Sequence, residues 1–151
     1  MSDRRQYCTL TVGDLYLGIE VGEVQEILRD TATTPVPLSN PAIRGLINLR
    51  GQIVTAIELR HRMGIRKIES KAPFTTMVLG SSDEPMALVV DCVGDVVEVT
   101  ADAFETPPDT LKGEARRMIE GAYKLERELL LALNLPAVLD LGERAEEDGS
   151  S

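Results

Sequence analysis

"IRGLINLRGQIVTAIELR", residues 43–60, packs apolar residues densely around a polar break at Asn48, Arg50 and Gln52. Residues 46–49 and 53–58 read as two buried strands, with Arg50-Gly51 as the turn between them. An arginine at the tip of an apolar hairpin suits one fixed electrostatic contact rather than catalysis. Asn40-Pro41 supplies a cap and a first helical residue just before this stretch, and "ELRHRMGI", 58–65, reads as a helical turn after it.

Working outward, the same pattern returns. "IEGAYKLERELLLALNL", 119–135, aligns with 43–59, pairing Gly121 with Gly45 and Ala132 with Ala56. "VGDVVEV", 93–99, likewise repeats "VGEVQEI", 21–27. Two pairs in the same order and at nearly the same offset predict two similar subdomains. At this size a small barrel of about five strands hides its sheet edges best. Neither half could bury a large core alone, so the two are expected to share an apolar seam. Subdomain 1 is placed at about 6–66, a linker at about 67–73 and subdomain 2 at about 74–141, with strand exchange between them left open. Together they form one domain, 1–141, followed by a charged, small-residue tail, 142–151, expected to be disordered.

Other elements follow locally. Residues 6–12 and 15–20 read as a hairpin about Gly13-Asp14, and 21–28 as a short helix or helical turn. Residues 75–80 and 85–93 form a second hairpin, 96–99 continue the sheet, and 101–117 read as a long polar loop. Residues 118–124 and 128–133 make a last hairpin, after which Asn134 caps a short helix carrying Pro136 in its first turn.

Composition restricts function. The 151 residues carry a net charge of −9, no tryptophan and only five Phe plus Tyr. That balance argues against nucleic acid, which needs positive charge and stacking platforms, and against an anionic membrane surface. No apolar run approaches the ~18 residues of a membrane span, and the N-terminus lacks a signal peptide's apolar core. A cytoplasmic protein with two buried, reduced cysteines is the expectation. His61 is the single histidine, and Cys8 and Cys92 lack metal-ligand spacing. His61 sits in a basic segment with Arg60, Arg62 and Arg66 that reads as a solvated face. Asp91 and Asp95 lie where acids usually face water. No nucleophile elbow or phosphate loop is present. Metal, cofactor and catalytic residues are therefore all assigned as none. A small-ligand barrel and an enzyme of unfamiliar type remain as rival classes.

The motif Ile43, Gly45, Asn48, Leu49, Arg50, Gly51, Ile53, Val54, Glu58, Leu59, Arg60 closely resembles the signature of the CheW family of bacterial chemotaxis coupling proteins. "ALVVDCVGDVVEV", 87–99, resembles that family's second signature, and "VGEVQEI" its early V-x-E-I segment. Ala87 and Cys92 depart from the usual residues by small changes that suit tight strand packing, and Thr55 occupies a position often held by proline in the motif. The resemblance implies a mainly β fold: two SH3-like five-stranded β-barrel subdomains packed together, with short helices and no catalytic activity. It implies an adaptor that couples methyl-accepting chemoreceptors, at their cytoplasmic tips, to the regulatory domain of a CheA-type histidine kinase. Other CheW-like domains in array rings are further implied partners, and the place of action would be the cytoplasm beneath membrane receptor arrays. By the same resemblance Arg50 pairs with Glu26, and Val24, Glu26, Gly45, Arg50 and Val96 form the receptor groove, with Asn48, Leu49 and Gly51 as signature residues.

Overall fold

The computed structural model describes residues 3–29, 40–65, 75–80 and 85–140. The expected linker at 67–73 and tail at 142–151 lie outside the described residues. Eleven strands are described: β1 (Arg4–Val12), β2 (Leu15–Glu20), β3 (Val24–Arg29), β4 (Ile43–Leu49), β5 (Gln52–Glu58), β6 (Thr75–Leu79), β7 (Met86–Val90), β8 (Cys92–Thr100), β9 (Phe104–Glu105), β10 (Ile119–Lys124) and β11 (Leu129–Leu133). Three short helices accompany them: α1 (Leu59–Arg62), α2 (Gly113–Arg117) and α3 (Leu135–Leu139).

The strands form two sheets. One has five strands in the order β3-β6-β7-β5-β4, and the other six, β8-β1-β2-β11-β10-β9. Apart from β9 the two orders are equivalent, strand for strand, and the sequence repeats fall on matching positions. "VGEVQEI" ends in the edge strand β3, and "VGDVVEV" lies in the edge strand β8. The hairpins β4–β5 and β10–β11 share one bulge, between Ile43 and Gly45 in the first and between Ile119 and Gly121 in the second. Each then pairs in parallel with a strand of another hairpin, Ala56 opposite Ala87 and Ala132 opposite Gly18.

Neither sheet keeps to one half of the chain. The β1–β2 hairpin lies between β8 and β11, while the β6–β7 hairpin lies between β3 and β5. The chain crosses from sheet to sheet after β2 and again at Asp91, between β7 and β8.

Three apolar clusters result. The largest lies between the sheets and draws on both: Leu10, Val12, Leu17 and Ile19 meet Ile57, Met77, Leu88 and Val90, with Leu131 and Leu133. The shared seam is thus the main core. Central strands with apolar neighbours on both faces explain the unbroken runs "TTMVL", "MALVV" and "LLLAL". A second cluster, Ile47, Val54, Ala56, Val78, Ala87 and Val89, receives Leu28 from one edge strand and Leu49 from the other. A third gathers Tyr7, Val99, Tyr123, Leu130 and Ala132, again from both sides of its sheet. Each sheet therefore curls about its own small core. Among the described residues the hydrogen-bonded orders are open at their edges, with five strands in one curl and five plus the short β9 in the other.

Two local expectations need correction. Only Val21–Glu23 forms a helical turn, and the rest of that segment is β3. Its alternating half-buried and exposed residues have period two, and pairing with β6 satisfies the backbone. The polar loop at 101–117 holds β9 and α2. Phe104 creates β9 by packing on Tyr123, ring centroids 5.3 Å apart. Gly121 leaves the space it needs, since a Cβ there would meet the Phe104 ring at 2.0 Å.

Candidate partner-binding site

Leu49 pairs with Gln52, so Arg50-Gly51 is a two-residue hairpin loop. Both residues have positive φ, 52° at Arg50 and 87° at Gly51, as a type I′ turn requires. Asn48 braces the turn by accepting the Gly51 amide at Oδ1, 3.0 Å away. Glycine or asparagine is the usual choice at such a position, because a Cβ crowds the left-handed region. Arg50 is the sole non-glycine residue with positive φ among the described residues. Its side chain explains the choice. It reaches Glu26 on β3 and donates from Nη2 to both carboxylate oxygens, Oε1 at 3.1 Å.

β3 and β4 are opposite edges of the five-stranded sheet. The Arg50–Glu26 pair therefore bridges the mouth of the curl where no backbone ladder does. The hydrogen bond from Arg50, aided by its charge and opposed by desolvation, holds the Glu26 carboxyl below its ordinary value. Two-thirds of the Arg50 side chain is exposed, against a quarter of Glu26, so the pair presents its cationic side to solvent. Ile53 beside the turn is 59% exposed and Ile27 on β3 is 42% exposed.

The other expected groove residues are placed less uniformly. Val96 stands out from β8 and is 52% exposed. Val24, its repeat partner, is half-buried against the core between the sheets. Gly45 is buried at the β4 bulge opposite Ala56. Leu49 packs on the small core of the five-stranded sheet, while Asn48, Arg50 and Gly51 are exposed. The structure thus brings Arg50 and Glu26 together and keeps Val96 on the other sheet.

Of the basic segment expected to be solvated, Arg66 lies outside the described residues, and Arg60 and Arg62 are built in. Arg60 is buried and grips Asp91 through Nε at 2.8 Å and Nη2 at 2.6 Å. Asp91 also accepts the Gly13 amide at 2.9 Å. Burial pushes the Asp91 carboxyl up, but the Arg60 and Gly13 hydrogen bonds and the Arg60 charge outweigh it, leaving it below its ordinary value. Arg62 donates to the carbonyls of Ala137, Val138 and Asp140 at 2.7, 3.0 and 2.8 Å, capping α3. Of the segment, His61 is exposed. The reason is register: Glu58 lies opposite Val89 in the parallel β5–β7 pair, so two residues further on Arg60 meets Asp91. That signal is present in the sequence only to a reader who knows that these strands are parallel neighbours.

Among the described residues no three His, Cys, Asp or Glu side chains group as metal ligands, and no helix is long and apolar enough to cross a membrane. Both cysteines are free thiols; Cys8 is buried as expected, but Cys92, at the start of the edge strand β8, is exposed where a buried thiol is expected.

Comparison with known proteins matches the model of the CheW-like domain to residues 6–143. A chemotaxis protein CheW of Rhizobium meliloti is 26% identical over 140 residues, covering 93% of this chain and 90% of that protein. One of Bacillus subtilis is 31% identical over 122 residues, covering 81% and 78%. In fold, the chain is similar to the crystal structure of the scaffolding protein TtCheW from Thermoanaerobacter tengcongensis, with a TM-score of 0.77 at 24% identity over 87% of this chain and 90% of that one.

Proposed function

The chain belongs to the CheW-like family of non-enzymatic chemotaxis adaptors, and from that premise we propose that it couples chemoreceptor tips to a CheA-type histidine kinase in the cytoplasm. The observation that carries the receptor half of this reading is the Arg50–Glu26 bridge. A residue held in the left-handed region on an exposed turn is retained against its backbone preference. The bridge fixes the mouth of the curled sheet and offers a guanidinium with unused donors to an arriving helix. Ile27 and Ile53 supply exposed apolar surface on the same sheet. An amphipathic receptor helix has matching chemistry: an apolar stripe beside a carboxylate. Val24, Gly45 and Val96 complete the proposed groove, with Val96 reached from the neighbouring sheet. The regulatory domain of the kinase and other CheW-like domains are the proposed partners for the remaining surface, in array rings at the membrane.

The test is a double-mutant cycle on binding of a chemoreceptor-tip fragment, with circular dichroism melts alongside. Arg50→Glu weakens binding, and adding Glu26→Lys restores part of it, because the pair is remade with reversed sign. Val96→Asp weakens binding without lowering the melting temperature, since that side chain already meets water. Equal binding by the wild type and Arg50→Glu would remove the receptor assignment. Retention of the kinase in a parallel pull-down separates loss of this site from loss of the adaptor function.

A further inference from the structure

A cleft of about 250 Å³ opens where the six-stranded sheet meets the turn leading to β3, well away in sequence from the Arg50 hairpin. Its walls divide by chemistry. Ile19, Leu133, Leu135 and Pro136 form an apolar side with the ring of Tyr7, and Glu20, Glu23 and Glu120 supply three carboxylates. One cation, Arg5, already lies at the carboxylate end, close enough for its charge to act on Glu120. Arg5 reaches Glu20 at 3.9 Å with both side chains about half exposed, a weak contact. Neither Glu23 nor Glu120 has an ion-pair partner among the described residues.

We propose that this cleft is a docking pocket for one cationic side chain, an arginine presented by a basic segment of a protein partner. The apolar wall takes the three-carbon stem and the carboxylates take the planar guanidinium. The volume fits a single side chain and excludes a folded element. The carboxylates repel one another: burial and the nearby Glu20 charge, only partly offset by the Arg5 charge, leave the Glu120 carboxyl above its ordinary value. An entering cation relieves both penalties at once, so the pocket favours charge of one sign. Lysine carries its charge on one compact ammonium rather than a planar fork, and binds less well. Glu23 adjoins Val24 of the proposed receptor groove, but no lining residue belongs to that groove, and Glu120→Gln on β10 tests the pocket without altering a groove residue.

The probe is N-acetyl-arginine methylamide, with its neutral citrulline analogue as control, titrated into the ¹⁵N-labelled full chain and read by amide chemical shifts. Shifts should concentrate at Ile19, Glu20, Glu23, Glu120, Leu133 and Leu135, and the citrulline analogue should produce none. Glu23→Gln and Glu120→Gln should each weaken the titration about two- to fivefold, the range of a single partly exposed charge contact. Glu126→Gln, an exposed site on the β10–β11 turn, should change nothing. Shifts scattered over the acidic surface, equal binding of the citrulline analogue, or indifference to both pocket variants would overturn the proposal. The exchanged residues are not in the core, and melting curves confirm that the variants remain folded.

Discussion

Replacing Asp91 by asparagine tests how the two sheets are held together. The substitution keeps the shape and leaves an acceptor for the Gly13 amide, but removes the charge opposite Arg60. The Arg60 side chain is only 10% exposed, so its guanidinium then loses the carboxylate it grips and keeps only the weaker influence of Glu58. Breaking a fully buried pair in this way costs about 3–5 kcal/mol. A third of the Asp91 side chain reaches water, which screens the interaction and lowers the expected loss to about 2–3 kcal/mol. For a domain of this size that is a fall in melting temperature of about 6–10 °C. With no tryptophan in the chain, far-ultraviolet circular dichroism against urea is the direct assay, and the midpoint should fall at constant slope. The pH dependence carries a second signature. The folded Asp91 carboxyl titrates below its unfolded value, so its stabilisation is complete above about pH 4–5 and is lost as pH falls through the lower folded value. Wild type and variant should therefore converge in acid. The paired replacement Arg60→Met with Asp91→Leu should recover much of the loss, because apolar groups need no partner. A loss below about 0.5 kcal/mol for Asp91→Asn, or no convergence in acid, would refute the argument.

Thr76 is fully buried with its hydroxyl unpartnered among the described residues, so Thr76→Val should raise stability by up to about 1 kcal/mol in the same urea assay. Gly121→Ala should cost about 1–3 kcal/mol, because the new Cβ meets the Phe104 ring and lies 2.7 Å from the backbone oxygen of Glu105; adding Phe104→Ala should recover only part, since that oxygen remains. The Glu120 carboxyl has the opposite sense to Asp91: its folded value is raised, so ionised Glu120 opposes folding at neutral pH and the penalty fades on acidification toward ordinary carboxylate values. Glu120→Gln should remove that pH-dependent component from melts recorded between about pH 7 and pH 4.

Much of the fold was legible because hairpins are local. The 43–60 stretch declares its own turn, and its reappearance at 119–135 carries even the bulge at the matching glycine. Asn134 caps α3 as its residue type demands, accepting the Ala137 amide at 3.2 Å. Which hairpin lies beside which was not legible. Similarity between repeats reports that two segments have one shape, and is silent on their neighbours. Arg60 and Arg62 illustrate the cost: in a linear reading they flank an exposed histidine, and only the parallel register and the turn of α1 point them inward. β9 escaped for a related reason, since two residues have no period and Phe104 owes its place to the missing Cβ of Gly121. In the candidate site, the turn and its arginine were readable from composition, whereas Glu26 as its partner depends on the curl that carries one sheet edge to the other.

The interleaving of hairpins also orders events during synthesis. All five strands of one sheet lie on a single stretch from Val24 to Val90, so that sheet can assemble as soon as the stretch has left the ribosome. The β1–β2 hairpin is made before that stretch but belongs between β8 and β11, and Leu17 waits for Leu131. An isolated two-stranded ribbon is marginal in water. This early segment is thus enclosed only after the later strands arrive, and its apolar face is a surface in need of shelter while those strands are being made.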